Sequence, residues 1–152
     1  METIEPILTA HPFFRGLDPI HLKDLAACAS KVNYAAGEFL YRAEQEATSF
    51  FLILQGRVSL EIFSARRGPL TLNTLEGGDV LGWLWFEEKP YYWFLDARAM
   101  DLTRALSLKV DCIRNKCESN HDLGFEIMKR YAHSLAIGFR AISLQLADMF
   151  QA

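Results

Sequence analysis

The stretch Phe50-Phe51-Leu52-Ile53-Leu54-Gln55-Gly56-Arg57-Val58-Ser59-Leu60-Glu61-Ile62-Phe63 decides the fold. An apolar run meets a Gln-Gly-Arg turn signal, and the run beyond it alternates apolar and polar side chains. Alternation with a period of two divides a strand between core and solvent. The segment therefore predicts strand, tight turn, strand. Gly56 is expected at positive φ, where only glycine sits without cost, and Gly37 and Gly78 occupy comparable turns.

Reading outward, further turn signals follow at short intervals: Ala36-Gly37-Glu38, Arg67-Gly68-Pro69, Glu76-Gly77-Gly78-Asp79 and Met100-Asp101. Thr103-Arg104-Ala105-Leu106-Ser107-Leu108 alternates again. Many short strands at this spacing predict a sandwich or barrel, here a jelly roll (a double-stranded β-helix) over residues 31–110. Residues 1–30 read as helical: Asp18 is an N-cap with Pro19 at the first helical position, and Leu22, Leu25, Ala26 and Ala29 recur at helical spacing. Residues 111–152 are helical again. Asp111 is expected to cap a short helix holding Cys112 to Glu118. Ser119 or Asn120 then starts a helix reaching toward Phe150, about 30 residues and roughly 45 Å long. The class is α+β, mainly β: one domain over 1–152, with flanking N-terminal helices and a long C-terminal dimerisation helix.

Composition removes several classes of function. The 152 residues are 51% hydrophobic and carry 16 basic against 19 acidic side chains, a net charge of −3. One core of this size holds without staples, and so apolar and aromatic a chain is not disordered. An acidic balance argues against a nucleic-acid binder driven by a global positive field. No apolar run approaches the roughly 20 residues of a membrane span, and Glu2 and Glu5 do not suit a signal peptide. Cys28, Cys112 and Cys117 are an odd set without framework spacing, which predicts free thiols and a cytoplasmic location.

The last helix has the clearest period. Phe125, Met128, Ala132, Leu135, Phe139, Ile142, Leu146 and Met149 are spaced 3-4-3-4-3-4-3. That is an a/d seam, with Ala136, Gly138 and Ser143 beside it to let a second backbone approach. Leu123, Ile127, Ile137 and Leu144 form another apolar face. One side is expected against the barrel and the other against the same helix of a second copy, a two-fold homodimer. The alternative is a monomer that buries both.

Helix, β-roll and seam together resemble the cyclic-nucleotide-binding domain superfamily, in particular the sensor half of Crp/Fnr-type regulators. The resemblance rests on Ala36-Gly37-Glu38-Phe39-Leu40, Phe51-Leu52-Ile53-Leu54-Gln55-Gly56-Arg57-Val58, Leu75-Glu76-Gly77-Gly78-Asp79-Val80-Leu81-Gly82 and Asp96-Ala97-Arg98-Ala99. It implies a phosphate-binding cassette opening with Gly-Glu and ending in Arg-Ser or Arg-Thr, whose Glu binds the ribose and whose Arg pairs with the phosphate. Gly82 matches the opening. Trp83 stands at the Glu position, Trp93 at the Arg position and Phe94 where the hydroxyl follows. Arg98 belongs to the motif's end, where a structural role is expected.

Losing both charge-assisted contacts costs about 3–6 kcal/mol, on the order of 10²–10⁴ in affinity. Ordinary cyclic nucleotides are therefore expected to bind weakly or not at all. Trp83, Leu84, Trp85, Phe86, Tyr91, Tyr92, Trp93 and Phe94 replace the polar cassette. Three readings stand for its aromatics: a pocket for a flat or apolar ligand, a filled core, or an exposed patch that docks another protein.

Other chemistry is weak. Cys112, Cys117 and His121 lack the geometry and a fourth ligand for a metal, so neither metal nor cofactor is expected. No nucleophile triad, catalytic carboxylate pair or phosphate loop is recognisable, which predicts no enzyme. The chain ends with the long helix, without the helix-turn-helix of its resembled relatives, and is not expected to read DNA. These observations predict a regulatory sensor-type module acting through an aromatic pocket or a protein partner. Two alternatives are a true cyclic-nucleotide or small-ligand receptor and a pure protein-docking module.

Overall fold

A computed structural model describes residues 3–82 and 90–150, and its elements follow the predicted order. Two helices, α1 (Ile4–Ala10) and α2 (Pro19–Ala26), flank a 3-10 turn at Pro12–Phe14. The Asp18 side chain accepts the Ile20 amide at 2.9 Å, the cap that starts α2. Among the described residues eight strands follow: β1 (Ala29–Tyr34), β2 (Phe39–Tyr41), β3 (Ser49–Gln55), β4 (Arg57–Ser64), β5 (Gly68–Glu76), β6 (Val80–Leu81), β7 (Asp96–Ala99) and β8 (Thr103–Lys109). They form two antiparallel sheets of four, ordered β1-β8-β3-β6 and β2-β7-β4-β5, the two layers of the jelly roll.

The deciding stretch folds as its pattern requires. At the β3–β4 turn Gly56 has φ 99°, and a Cβ there would lie 2.6 Å from the Leu102 carbonyl oxygen, so both conformation and space demand glycine. In β3 successive side chains serve two cores. Phe50 meets Phe13 of the 3-10 turn edge to face at 6.4 Å, on the helix side. Phe51 turns inward toward Tyr34 and Tyr41. This explains why β3 is apolar throughout: both of its faces are covered.

Helix α3 (Val110–Ser119) continues straight from β8, and α4 (His121–Met149) follows after Asn120. The Asn120 side chain accepts the Leu123 amide at 3.2 Å, so the break falls at one of the two expected positions. Asp111 does not cap α3. The helix begins at Val110, and Asp111 lies in its first turn, where a carboxylate still complements the helix dipole.

The cysteines correct the sequence reading. Cys28 and Cys112 form a disulfide with Cα atoms 5.6 Å apart across 84 positions, and only Cys117 is a free thiol. The cause lies in the register. Ala29 of β1 pairs with Leu108 of β8, and the Lys109 amide donates to the Cys28 carbonyl at 3.1 Å. The first turn of α3 then carries Cys112 over Cys28. Cys117 backs onto α4, where a Cβ on Gly124 would lie 3.1 Å from the Cys117 carbonyl oxygen. Burial, with Glu118 nearby, pushes the Cys117 thiol above its ordinary pKa.

Candidate functional site

Two places carry the residues singled out from sequence: the roll interior beside Gly82, and the length of α4. Trp83, Leu84 and Trp85, with Phe86, lie outside the described residues. The approach to β7 is described, and it divides the aromatic run by alternation. Tyr91, Trp93 and Leu95 are buried, whereas Tyr92 and Phe94 are exposed. Backbone bonds to residues 44–47 hold this extended conformation. The Trp93 amide donates to Gln45 O at 2.9 Å, the Glu44 amide to Trp93 O at 2.6 Å, and the Ala47 amide to Tyr91 O at 2.9 Å.

That pairing drives Trp93 into the roll. Its rings stack on Tyr41 with centroids 3.8 Å apart and planes 12° from parallel. Tyr41 in turn lies 6.4 Å from Phe51. Gly82 has φ 107°, and a Cβ on it would come within 3.0 Å of Trp93 Cη2 and 3.1 Å of Phe50 Cβ. At 6% exposure, Trp93 is a core side chain. A stacked aromatic pair adds roughly 0.5–1.5 kcal/mol beyond the area that it buries.

The neighbouring phenols are held neutral, and two neighbouring arginines are paired with carboxylates. Burial, and next the Asp96 carboxylate, raise the Tyr41 hydroxyl far above its ordinary pKa. Burial pushes Tyr91 up to about 12, against the lowering influence of Arg114 and with a smaller push from Asp111. Both phenols stay protonated at neutral pH. Arg98 is turned to the outer face of the second sheet, alternating with the buried Ala97 and Ala99. There its Nε and Nη2 donate to Glu61 Oε2 at 3.1 and 2.8 Å. The Glu61 side chain is only 4% exposed, which makes this a well-satisfied structural ion pair. Arg42 is occupied likewise, with Nε 3.4 Å from Asp96 Oδ1 and its guanidinium 4.0 Å above the Phe39 ring.

Helix α4 sorts its apolar residues by face. Leu123 and Ile127 are buried, as the second face required, and Tyr131, which hydropathy patterning overlooked, joins them. Ile137 and Leu144 do not follow: both are exposed. Leu144 lies past Gly138, the last buried position of the helix, whereas Ile137 lies within the stretch that accompanies the body and opens onto a cleft between α4 and the roll. Gly138, expected beside the seam, is buried. Of the seam, Phe125 is 66% and Phe139 75% exposed, with Met128, Leu135 and Leu146 also open. Ala132 is exposed, and Ile142 and Met149 are half-buried.

Among the described residues no group of three or more His, Cys, Asp or Glu side chains converges to hold a metal, and no helix is long and apolar enough to cross a membrane. Cys112, committed to its disulfide, is unavailable as a ligand.

The architecture has close counterparts. A cyclic nucleotide-binding domain from Methylobacillus flagellatus superposes with a TM-score of 0.81 at 16% identity, covering 99% of this chain and 84% of that one. A Geobacter metallireducens protein, named for cyclic nucleotide binding, gives 0.77 at 24% identity, covering 91% and 99%. The sensor domain of the transcriptional regulator DNR from Pseudomonas aeruginosa gives 0.72 at 17%, covering 97% and 93%. At these identities the likeness concerns the fold. No curated protein matches the chain. The sequence model of the cyclic nucleotide-binding domain matches residues 31–120, more than half of the chain. This protein belongs to the cyclic nucleotide-binding domain family.

Proposed function

We propose that the chain is a regulatory domain of this family that has given up reading ordinary cyclic nucleotides and works as a homodimer. The observation that carries this is Trp93, stacked on Tyr41 and packed over Gly82, at the position that the resemblance assigns to the family's phosphate-pairing arginine. An indole there supplies no ion pair, and it takes up room that a nucleotide would need. The fate of Arg98 agrees, since its guanidinium is already paired with Glu61. The exposed a/d face of α4 supports the dimer: large apolar side chains in a continuous row are costly to leave in water.

In this reading the domain has no catalytic role and needs no cofactor. Nor do the residues described here read DNA; they respond to a ligand or partner and pass the response along α4. We place it in the cytoplasm, where reductants would open the Cys28–Cys112 bond except under oxidising stress. A second reading, docking of a protein on the outer surface of the roll, is favoured by one feature: Tyr92 and Phe94 project to solvent from the strand that buries Trp93.

The test restores the lost chemistry. The double change Trp83→Glu with Trp93→Arg should bring cyclic AMP affinity up by at least about tenfold over the unmutated chain, measured by calorimetry on protein that retains its circular dichroism. A folded double variant with no gain would contradict the proposal that side-chain replacement closed the site. Capture of a partner lost on Tyr92→Ser with Phe94→Ser would favour the docking reading.

A further inference from the structure

A cleft of about 540 Å³ lies outside the roll, between the 3-10 turn, the β5–β6 turn and the middle of α4. Its size is that of a small-molecule site, for which volumes of roughly 300–1,000 Å³ are usual. It is separate from the chamber that Trp93 fills. Val80 and Leu81 point to opposite faces of β6. Leu81 pairs with Phe51 on the inner face, whereas Val80 pairs with Leu52 and lines the cleft.

The walls combine two chemistries. Phe13, Leu75, Val80 and Ile137 make an apolar lining. Basic groups come from both sides, Arg15 from the end of the 3-10 turn and Lys129 and Arg130 from α4. Their charges are unequally committed. Glu126 takes both Lys129, at 3.3 Å, and Arg130, whose Nη2 also donates to the Arg15 carbonyl at 2.8 Å. Asp79, also in the wall, accepts the Glu76 amide at 2.8 Å. Three cations against two carboxylates leave one positive charge, and the Arg15 guanidinium is the group not paired with Glu126.

We propose that this cleft binds an amphipathic monoanion, a carboxylate bearing an apolar chain or ring, with Arg15 as the charge anchor. The single net charge fits a carboxylate better than a phosphate dianion, which Asp79 and Glu126 would repel. The apolar wall fits a hydrocarbon body, which inorganic anions lack. The site goes beyond the family's nucleotide chamber and does not depend on whether that chamber is closed.

The experiment titrates the full chain with sodium decanoate, 1-decanol and inorganic phosphate by calorimetry and thermal shift. Decanoate should bind saturably at one site per chain and at least about tenfold tighter than either of the others. Arg15→Gln should weaken decanoate about tenfold and leave decanol unchanged, and Ile137→Asp should abolish decanoate binding. Both positions are exposed, so these variants should fold; an unchanged melting temperature without ligand checks it. Equal binding of decanol and decanoate, an unaffected Arg15→Gln variant, or no saturable binding would overturn the proposal. Cyclic AMP displacing decanoate would also overturn it, since it would place both ligands in one site, whereas cyclic AMP binding without displacement would count only against the closed chamber.

Discussion

The roll interior and the outer face of α4 are built from the same kinds of residue and end in opposite states. Inside the roll, Trp93, Tyr41 and Phe51 stack against one another and leave little for solvent. Along α4, Phe125, Leu135, Phe139 and Leu146 stand in an equally regular row and remain open. Hydrophobicity alone does not distinguish a filled site from an unfilled one; what differs is whether the chain can reach back to cover the surface. The segment at 44–47 pairs with the strand that carries Trp93, while among the described residues those seam side chains of α4 stay exposed. Around Trp93 the roll is packed by its own sequence, and the open face of α4 is the one proposed to take a second copy.

The sharpest way to break this contrast is to charge the open face. Leu135→Asp with Ile142→Asp should convert a dimer to monomers in light scattering at micromolar concentration. A carboxylate buried without a partner costs about 3–5 kcal/mol, and the two-fold axis counts each change twice. A monomer for the unmutated protein would remove the contrast altogether. Emptying the closed side should act on folding instead. Trp93→Ala should lower unfolding stability by about 3–5 kcal/mol in a denaturant titration, as a large buried aromatic is deleted. A loss below about 1 kcal/mol would mean that the indole is not a core element.

Reducing the Cys28–Cys112 bond comes next. It closes a long loop between the start of the roll and α3, so dithiothreitol should reduce stability by about 2–4 kcal/mol, an effect that Cys112→Ser should reproduce. The smallest effect concerns His11, which ties the helix side to β3. Its Nδ1 accepts the Phe13 amide at 3.1 Å, which leaves the proton on Nε2 to donate to Ile53 O at 3.1 Å. Burial lowers its pKa from 6.5, against weaker raising influences from the Ile53 carbonyl and Asp79. The neutral ring is therefore the one that the fold stabilises. This contribution is complete above pH 6.5 and is lost as pH falls through the lowered native value. The melting temperature should decline across that acid window, and His11→Gln should flatten the decline.

Much of this molecule was legible from local pattern. The Gly56 turn, the Asp18 and Asn120 caps and the alternation in β4 and β8 each depend on a few neighbouring residues and a physical rule with few exceptions. The seam was legible as a period. What escaped depends on long-range register. Nothing in the spacing of Cys28 and Cys112 shows that β1 and β8 are partners, and Glu61 gives no sign from its strand that Arg98 will meet it. Ile137 and Leu144 share a face with Leu123 but not its environment, because periodicity tells neither that a cleft opens beside Ile137 nor that the helix has left the body by Leu144. One further signal is local: Tyr91-Tyr92-Trp93-Phe94-Leu95, taken as an extended strand, places Tyr91, Trp93 and Leu95 on one side and Tyr92 and Phe94 on the other.

Trp93 is proposed to have replaced nucleotide recognition by packing, and calorimetric titration of cyclic AMP into the unmutated chain measures this directly. The account predicts a dissociation constant no tighter than about 1 mM, because the charge-assisted contacts worth about 3–6 kcal/mol are absent and the space beside Gly82 is taken. A saturable constant in the micromolar range, with one nucleotide per chain, would contradict it.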